Sequence, residues 1–315
     1  MRAIMASRFG PPDVLTATDR PTPEPAAGEL LVDVELAGVG WLDTLIRSGR
    51  APAVFPVTPP YVPGGAVAGR VSAVGPGVDI GWLRARVITR APAGGYAEAA
   101  VSRPEECYLL PPGLDLADAL AVLDDGSTAV ALLERTPVHA GEKVLVAPGV
   151  GGLGSLLVQL LVRAGATVIA GVRGAEKAAI AEKLGARAVD YSEPGWTGRL
   201  PDGLDVVFDG IGGEVGAAAL ALLVNGGRFS AYGMVAGGET VVGEADRRRL
   251  AAVVGMSQLP EFWADTPRRV QHVLNETAAG RLTPIIGRTY PLAEAAAAHA
   301  DIEARRFVGK ILLTT

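Results

Sequence analysis

The rhythm of apolar and polar positions changes once along the chain, near Leu116. Before it, apolar runs of strand length lie between dense Pro and Gly. The runs are Arg2 to Ser7, Leu30 to Leu36, Val67 to Val74, Arg86 to Thr89 and Tyr96 to Val101. The punctuation includes Pro21, Pro23, Pro25, Pro59, Pro60 and Pro63-Gly64-Gly65. Short runs bounded by turn formers predict a compact β-rich domain with long turns. After Leu116 the spacing turns helical, with one helix over Leu116 to Leu123 and another opening at Thr128 to Glu134. From Lys143 strands and helices alternate. Strands are expected at Lys143 to Ala147, Thr167 to Val172, Ala188-Val189, Val206 to Phe208 and Gly227 to Tyr232. Helices are expected at Leu153 to Ala164, Ala175 to Leu184 and Val215 to Leu223. That alternation predicts a doubly wound parallel sheet. Helices at Pro267 to Ala279 and Leu292 to Glu303 and a strand at Gly309 to Leu313 close the chain.

Length and composition bound what this α/β chain can be. Its 315 residues suggest about two domains. Hydrophobic residues are 49% and charged ones 20%, enough for sizeable cores. The single cysteine, Cys107, excludes an internal disulfide framework and a Cys-rich zinc site. Three scattered histidines, His139, His272 and His299, make no His-rich metal site and read as structural. A net charge of −5 and a pI near 5.4 argue against a nucleic-acid surface. No uncharged apolar run has membrane-span length and no signal-peptide core opens the chain, so a cytoplasmic protein without membrane partners is expected.

The strongest local signal is Gly149-Val150-Gly151-Gly152-Leu153-Gly154, a G-x-G-x-x-G string. It directly follows one predicted strand and opens a helix, which is the context a dinucleotide-binding loop requires. Glycine lets the backbone approach a pyrophosphate, and the helix N-terminus offers free N–H groups. The bland alternative is a glycine-rich turn. The next strand ends at Val172 and is followed by Arg173, where an NAD site would place an acid. An arginine can pair with a 2′-phosphate, and Lys177, one helical turn on, can join it. NADPH is therefore expected over NADH, against the reading of Arg173 and Lys177 as ordinary solvated charges.

Taken together and in order, these residues resemble the zinc-free quinone oxidoreductases, the zeta-crystallin-like branch of the medium-chain dehydrogenase/reductases. The marks are Ala37 to Thr44 with Arg47-Ser48-Gly49, Pro63-Gly64-Gly65 with Gly69, and Gly94 to Glu98. They continue through Gly126 to Ala129, the glycine loop, Glu176-Lys177, Leu184 to Ala186, Val206 to Gly213, Gly227 to Phe229 with Gly233, and His299 with Gly309-Lys310. The resemblance implies a GroES-like β-rich domain (1–118), a Rossmann domain (119–257) and a C-terminal segment (258–315) that returns to the first. It implies NADPH, a homodimer, a site in the cleft between domains and reduction of a quinone or enone. It adds Tyr191 and Arg305 to the 2′-phosphate contacts and Gly210 and Gly233 to the cofactor set. Where zinc-dependent relatives carry ligands, this chain has Gly40 and Gly65-Ala66 and no cysteine cluster, so no metal is expected.

The expected substrate pocket comprises Gly40, Trp41, Asp43, Leu45 and Tyr61. It departs from the family at Gly40, usually asparagine, at Trp41 and at Leu45, where some members carry tyrosine. The change suits a bulkier or more apolar enone, or reflects drift in a tolerant pocket. Asp43 itself reads best as a structural hydrogen-bonding residue. Asp124-Asp125 before Gly126-Ser127-Thr128 is also unusual; helix capping is the first expectation, and orientation of substrate or a proton relay the second. Without zinc, a developing oxyanion needs donors, and Thr128, Tyr96 and Asp125 are the catalytic candidates. The alternative function is an NADPH-binding protein with a structural role and little turnover.

Overall fold

Residues 1–258, 261 and 264–315 are described by a computed structural model. They divide into two units, Met1–Asp124 with Val270–Thr315, and Asp125–Arg269.

The first unit opens with an antiparallel ribbon, β1 (Arg2–Ala6) against β2 (Leu15–Asp19). There follow β3 (Leu30–Val39), α1 (Trp41–Arg47), β4 (Ala66–Val74), β5 (Arg86–Arg90), β6 (Ala99–Ser102) and β7 (Cys107–Leu109). The long strand β3 serves two cores. Leu30 and Val32 pack with Val71 and Val87, whereas Val34, Ala37 and Val39 pack with Val67, Tyr96 and Tyr290. The β3–β4 register shifts between Val34 and Leu36, and such a bulge reverses which alternate residues face a given side.

Helix α2 (Leu116–Arg135) leads into the second unit. That unit contains β8 (Lys143–Ala147), α3 (Gly152–Arg163), β9 (Thr167–Val172), α4 (Ala175–Lys183), β10 (Arg187–Asp190), β11 (Leu204–Asp209), α5 (Gly213–Ala221), β12 (Leu223–Ala231), α6 (Glu244–Arg249) and β13 (Ala252–Val254). The sheet order is β10-β9-β8-β11-β12-β13 and every pairing is parallel. Its central strands are near-continuous apolar runs, as burial on both faces demands. The order reverses between β8 and β11, the switch point at which open parallel sheets hold ligands beyond their carboxyl ends.

Helix α7 (Thr266–Ala278) leads back to the first unit, followed by β14 (Ile286–Pro291), α8 (Ala295–Glu303) and β15 (Lys310–Thr314). Strand β15 pairs antiparallel with β3 and parallel with β14. The first unit's large sheet thus runs β14-β15-β3-β4-β5-β7, with β6 also on β3.

The structure departs from the sequence expectation at three places. The two helices expected around Gly126 are one continuous helix, α2, with Gly126 buried inside it. An interior glycine costs about 1 kcal/mol. Burial of Leu120, Leu123, Ala129 and Leu132 on this helix outweighs it. Asp124, Asp125 and Ser127 consequently sit mid-helix and do not open a new helix at Gly126. Trp41–Arg47, to which the sequence reading gave no element, form a helix. Finally, the chain divides at 124/125 and 269/270, inside α2 and α7, whereas the resemblance implied boundaries at 118 and 257.

Candidate functional site

In the second unit the glycine string occupies the turn from β8 into α3. Gly149 N–H bonds the Gly171 carbonyl at 2.8 Å, tying the loop to β9. A Cβ on Gly154 would lie 2.1 Å from the Pro148 carbonyl oxygen, so the helix can approach its own loop only with glycine there. Gly151 is different. A Cβ there would meet nothing within 4 Å. It is the N-cap of α3 and has no side chain to cap that end. Val150 is buried beneath, and Leu153 is half-buried. The result is an open cradle before a row of backbone donors, the arrangement that takes an anionic group. Asp125 reaches this loop from α2: its Oδ2 lies 2.2 Å from where a Cβ on Gly152 would be. Thr128 lies one turn further along α2 and is half-buried. Gly210 and Gly233 follow β11 and β12, and a Cβ on Gly233 would lie 2.6 Å from the Gly210 carbonyl oxygen.

A second group forms at the carboxyl ends of β9 and β10. Val172 is in register with Asp190, which brings the next residues, Arg173 and Tyr191, side by side. Arg173 is exposed, and Lys177 and Tyr191 are half-buried. Asp190 shapes this corner and was missed by sequence reasoning. Its carboxylate accepts from the Ser192 hydroxyl (2.5 Å) and N–H (2.8 Å) and from Gly174 N–H (2.7 Å). These bonds, with Arg173 nearby, hold the carboxyl below its usual range. Arg305 belongs to the first unit, in the left-handed turn after α8 (φ 54°).

The pocket candidates lie in the first unit, mostly on α1. Gly40 is the N-cap of that helix, and its N–H donates to Asp43 Oδ2 at 2.7 Å. Its φ of −110° suits any residue, so glycine here is a matter of space. A Cβ would stand 3.4 Å from Asp43 Oδ2, with only Leu42 N otherwise near, at 4.0 Å. Trp41, Leu45 and Tyr61 are half-buried.

Tyr96 differs from an exposed donor: it is fully buried. Its hydroxyl is 3.0 Å from His299 Nε2 and donates to Asp43 Oδ2 at 3.4 Å. The His299 and Tyr96 rings pack edge to face. Arg47, also buried, pairs through Nη2 with Glu303 of α8. Around this group, Arg47 Nε and Nη1, Tyr61 Oη and His299 Nδ1 are buried with no hydrogen-bond partner. Burial raises the Asp43 carboxyl to about 6, against the opposing effects of Gly40 N–H and the Lys310 charge. Burial and the Arg47 charge depress His299 to about 3. Burial and the neighbouring Asp43 push Tyr61 up to about 12. Sequence reading caught Asp43 and Tyr96 separately, took His299 as structural and noted Arg47 only as a mark of the resemblance. Their pairing across 203 and 256 residues left no local signal.

Among the described residues, no group of three or more His, Cys, Asp or Glu is placed to hold a metal ion. Cys107 is buried, with its Sγ 3.2 Å from Thr89 Oγ1. No described helix is long and apolar enough to cross a membrane.

Residues 26–112 match the alcohol dehydrogenase GroES-like domain, and residues 184–313 match the zinc-binding dehydrogenase domain. The chain is 31% identical to the quinone oxidoreductase of Pseudomonas aeruginosa, over 99% of both chains. It is 31% identical to a 2-haloacrylate reductase of a Burkholderia species, over 99% of this chain and 98% of that one. A mycobacterial protein solved in complex with NADPH matches the whole of both chains at 33% identity, with a TM-score of 0.89.

Proposed function

The chain belongs to the zinc-free quinone oxidoreductase branch of the medium-chain dehydrogenase/reductases, and on that premise we propose that it is an NADPH-dependent reductase of quinones or enones. One observation carries the cofactor: the space in front of Gly151, where a Cβ would meet nothing within 4 Å, before the N-terminus of α3. A glycine loop at a helix N-terminus suits a pyrophosphate held by Gly149 to Gly154. Arg173, at the end of β9, supplies a cation where discrimination for NAD would need a carboxylate. Lys177, Tyr191 and Arg305 belong to the same proposed 2′-phosphate set, and Gly210 and Gly233 let the cofactor pass the strand ends.

Bound NADPH would supply the hydride. The chain's own residues bind and orient it, keep water out and stabilise charge on the acceptor oxygen. Gly40, Trp41, Asp43, Leu45 and Tyr61 line the proposed acceptor site, with Thr128 as a hydroxyl donor. No step needs a metal in this reading. The relative named as a 2-haloacrylate reductase makes an activated alkene a reasonable member of the acceptor panel. A homodimer in the cytoplasm completes the proposal.

Purified protein, NADPH and a panel of quinones and enones provide the test. The expected result is acceptor-dependent oxidation of NADPH. Binding of NADPH with no turnover of any acceptor would favour the second reading, a cofactor-binding protein with a structural role. The observation in its favour is Gly40, which offers no side-chain amide to an acceptor.

A further inference from the structure

We propose that Asp43 is the proton donor to the reduced acceptor, and that Tyr96 and His299 position it and set its proton affinity. The inference rests on the acceptor site being beside Gly40.

Three observations on the first unit carry it. The first is the hydrogen-bond line. Asp43 is its half-buried outer member, Tyr96 is fully buried in the middle, and His299 is fully buried at the inner end. A carboxyl serving only to cap α1 needs the Gly40 N–H and nothing more. Here its Oδ2 also takes a hydroxyl whose other partner is an imidazole.

The second observation is that the line can run in either direction. With Asp43 ionised, Tyr96 O–H donates to it and His299 Nε2–H donates to Tyr96. With Asp43 protonated, its O–H can donate to Tyr96, whose own proton then turns to Nε2. That reversal requires His299 to exchange tautomers, and a partner on Nδ1 would prevent it. Nδ1 has none. Arg47 Nε and Nη1 and Tyr61 Oη, the nearby buried groups, are also unpartnered, and such groups ordinarily take ordered water. A water there, unlike a fixed donor or acceptor, could serve Nδ1 in either tautomer.

The third observation is Gly40. Any side chain grown from it starts 3.4 Å from Asp43 Oδ2 and would cover that oxygen. Glycine adds no side-chain atom beside it.

The step balances simply. An enone that has received hydride at its β-carbon is an enolate. The Asp43 O–H turns from Tyr96 to the acceptor and breaks, its proton forms the new C–H bond at the α-carbon, and the carboxylate takes a proton back from solvent. The groups facing Asp43 are Gly40 N–H and Tyr96, with the charges of Lys310 and Asp124 near it. Burial dominates, so the acid form persists to higher pH than for an ordinary aspartate.

Two measurements test this. The first is a carboxyl-carbon NMR titration of the cofactor-free protein, with Asp43 assigned by comparison with Asp43→Asn. Asp43 is expected to titrate near pH 6, and Tyr96→Phe to move it upward, because a bond favouring the ionised form is lost. An ordinary carboxylate titration, or no shift in Tyr96→Phe, would overturn the proposal whether or not turnover is seen. The second uses an enone under saturating NADPH. The wild-type kcat should fall as pH rises above 6. Asp43→Asn, whose carboxamide oxygen can still accept from Gly40 N–H, should lose about 100-fold in kcat with a small change in KM and a flat pH profile. A wild-type-like profile in Asp43→Asn would remove Asp43 from the chemistry while leaving the reductase reading intact. Absence of wild-type turnover with every acceptor would overturn both.

Discussion

The two units solve the problem of an internal site in opposite ways. In the second, side chains are withheld. Gly151 keeps a cradle empty, and Gly154 lets a helix press on the Pro148 carbonyl. In the first, polar side chains are driven inward: Arg47, Tyr96 and His299 are each at most 1% exposed. The glycine loop is inexpensive to build and acts through the backbone. The buried polar group is costly unless every member finds a partner, so it survives only where the surrounding structure holds it. Loops of the first kind tolerate little added volume. Clusters of the second kind tolerate little loss of a partner.

The sharpest break of that comparison is Gly154→Val. Its added carbon would overlap the Pro148 carbonyl, so a loss of roughly 3 kcal/mol in stability is expected, with NADPH binding abolished. Denaturant unfolding and cofactor titration would read both. Gly151→Ala is its control: with open space at that position, stability should stay within about 0.5 kcal/mol of wild type while NADPH affinity falls at least about tenfold. Equal stability losses in the two variants would remove the distinction between packing glycine and cradle glycine.

On the other side, Glu303→Ala leaves the buried Arg47 guanidinium without its carboxylate. The expected loss is about 3 kcal/mol, measurable by urea unfolding. A neutral result would mean that water satisfies Arg47 unaided.

Arg173→Ala should weaken NADPH binding by roughly 10- to 100-fold, with little change for NADH, since a charge-assisted contact to one phosphate is lost. Equal losses for both cofactors would take Arg173 out of the 2′-phosphate set.

In the wild type the pH dependence of stability should nearly cancel across one window. Asp43 has a folded value near 6 against a reference of 3.8, so its contribution is present below pH 3.8 and lost as pH rises to 6. His299, folded near 3 against 6.5, contributes in the opposite sense: fully above pH 6.5 and lost as pH falls toward 3. Between about pH 4 and 6 the two slopes oppose each other. Asp43→Asn removes one of them, so its stability should rise with pH across that window more steeply than that of the wild type.

How much of this was legible in the chain follows the same division. Strands of the parallel sheet, the helix opened by Gly151 and the basic residue after β9 are local patterns, written within some thirty residues of one another. The α2 helix was misread because Gly126 and the acidic pair before it look like a boundary locally. Only packing of Leu120, Leu123, Ala129 and Leu132 carries the helix through. Asp190 was passed over because its partners lie in a turn whose geometry residue types alone do not specify.

By itself, the sequence determined the family, the sheet order's repeating strand–helix alternation and the backbone loop for phosphate, because periodicity and glycine spacing act over short range. Tertiary structure alone decided that residues 43, 96 and 299 form one hydrogen-bonded line and that Arg47 meets Glu303. Those contacts form only when β15 returns to β3 and brings α8 with it. Distant segments are joined there by burial, and burial, which no single residue announces, sets the proton affinities on which the proposed chemistry depends.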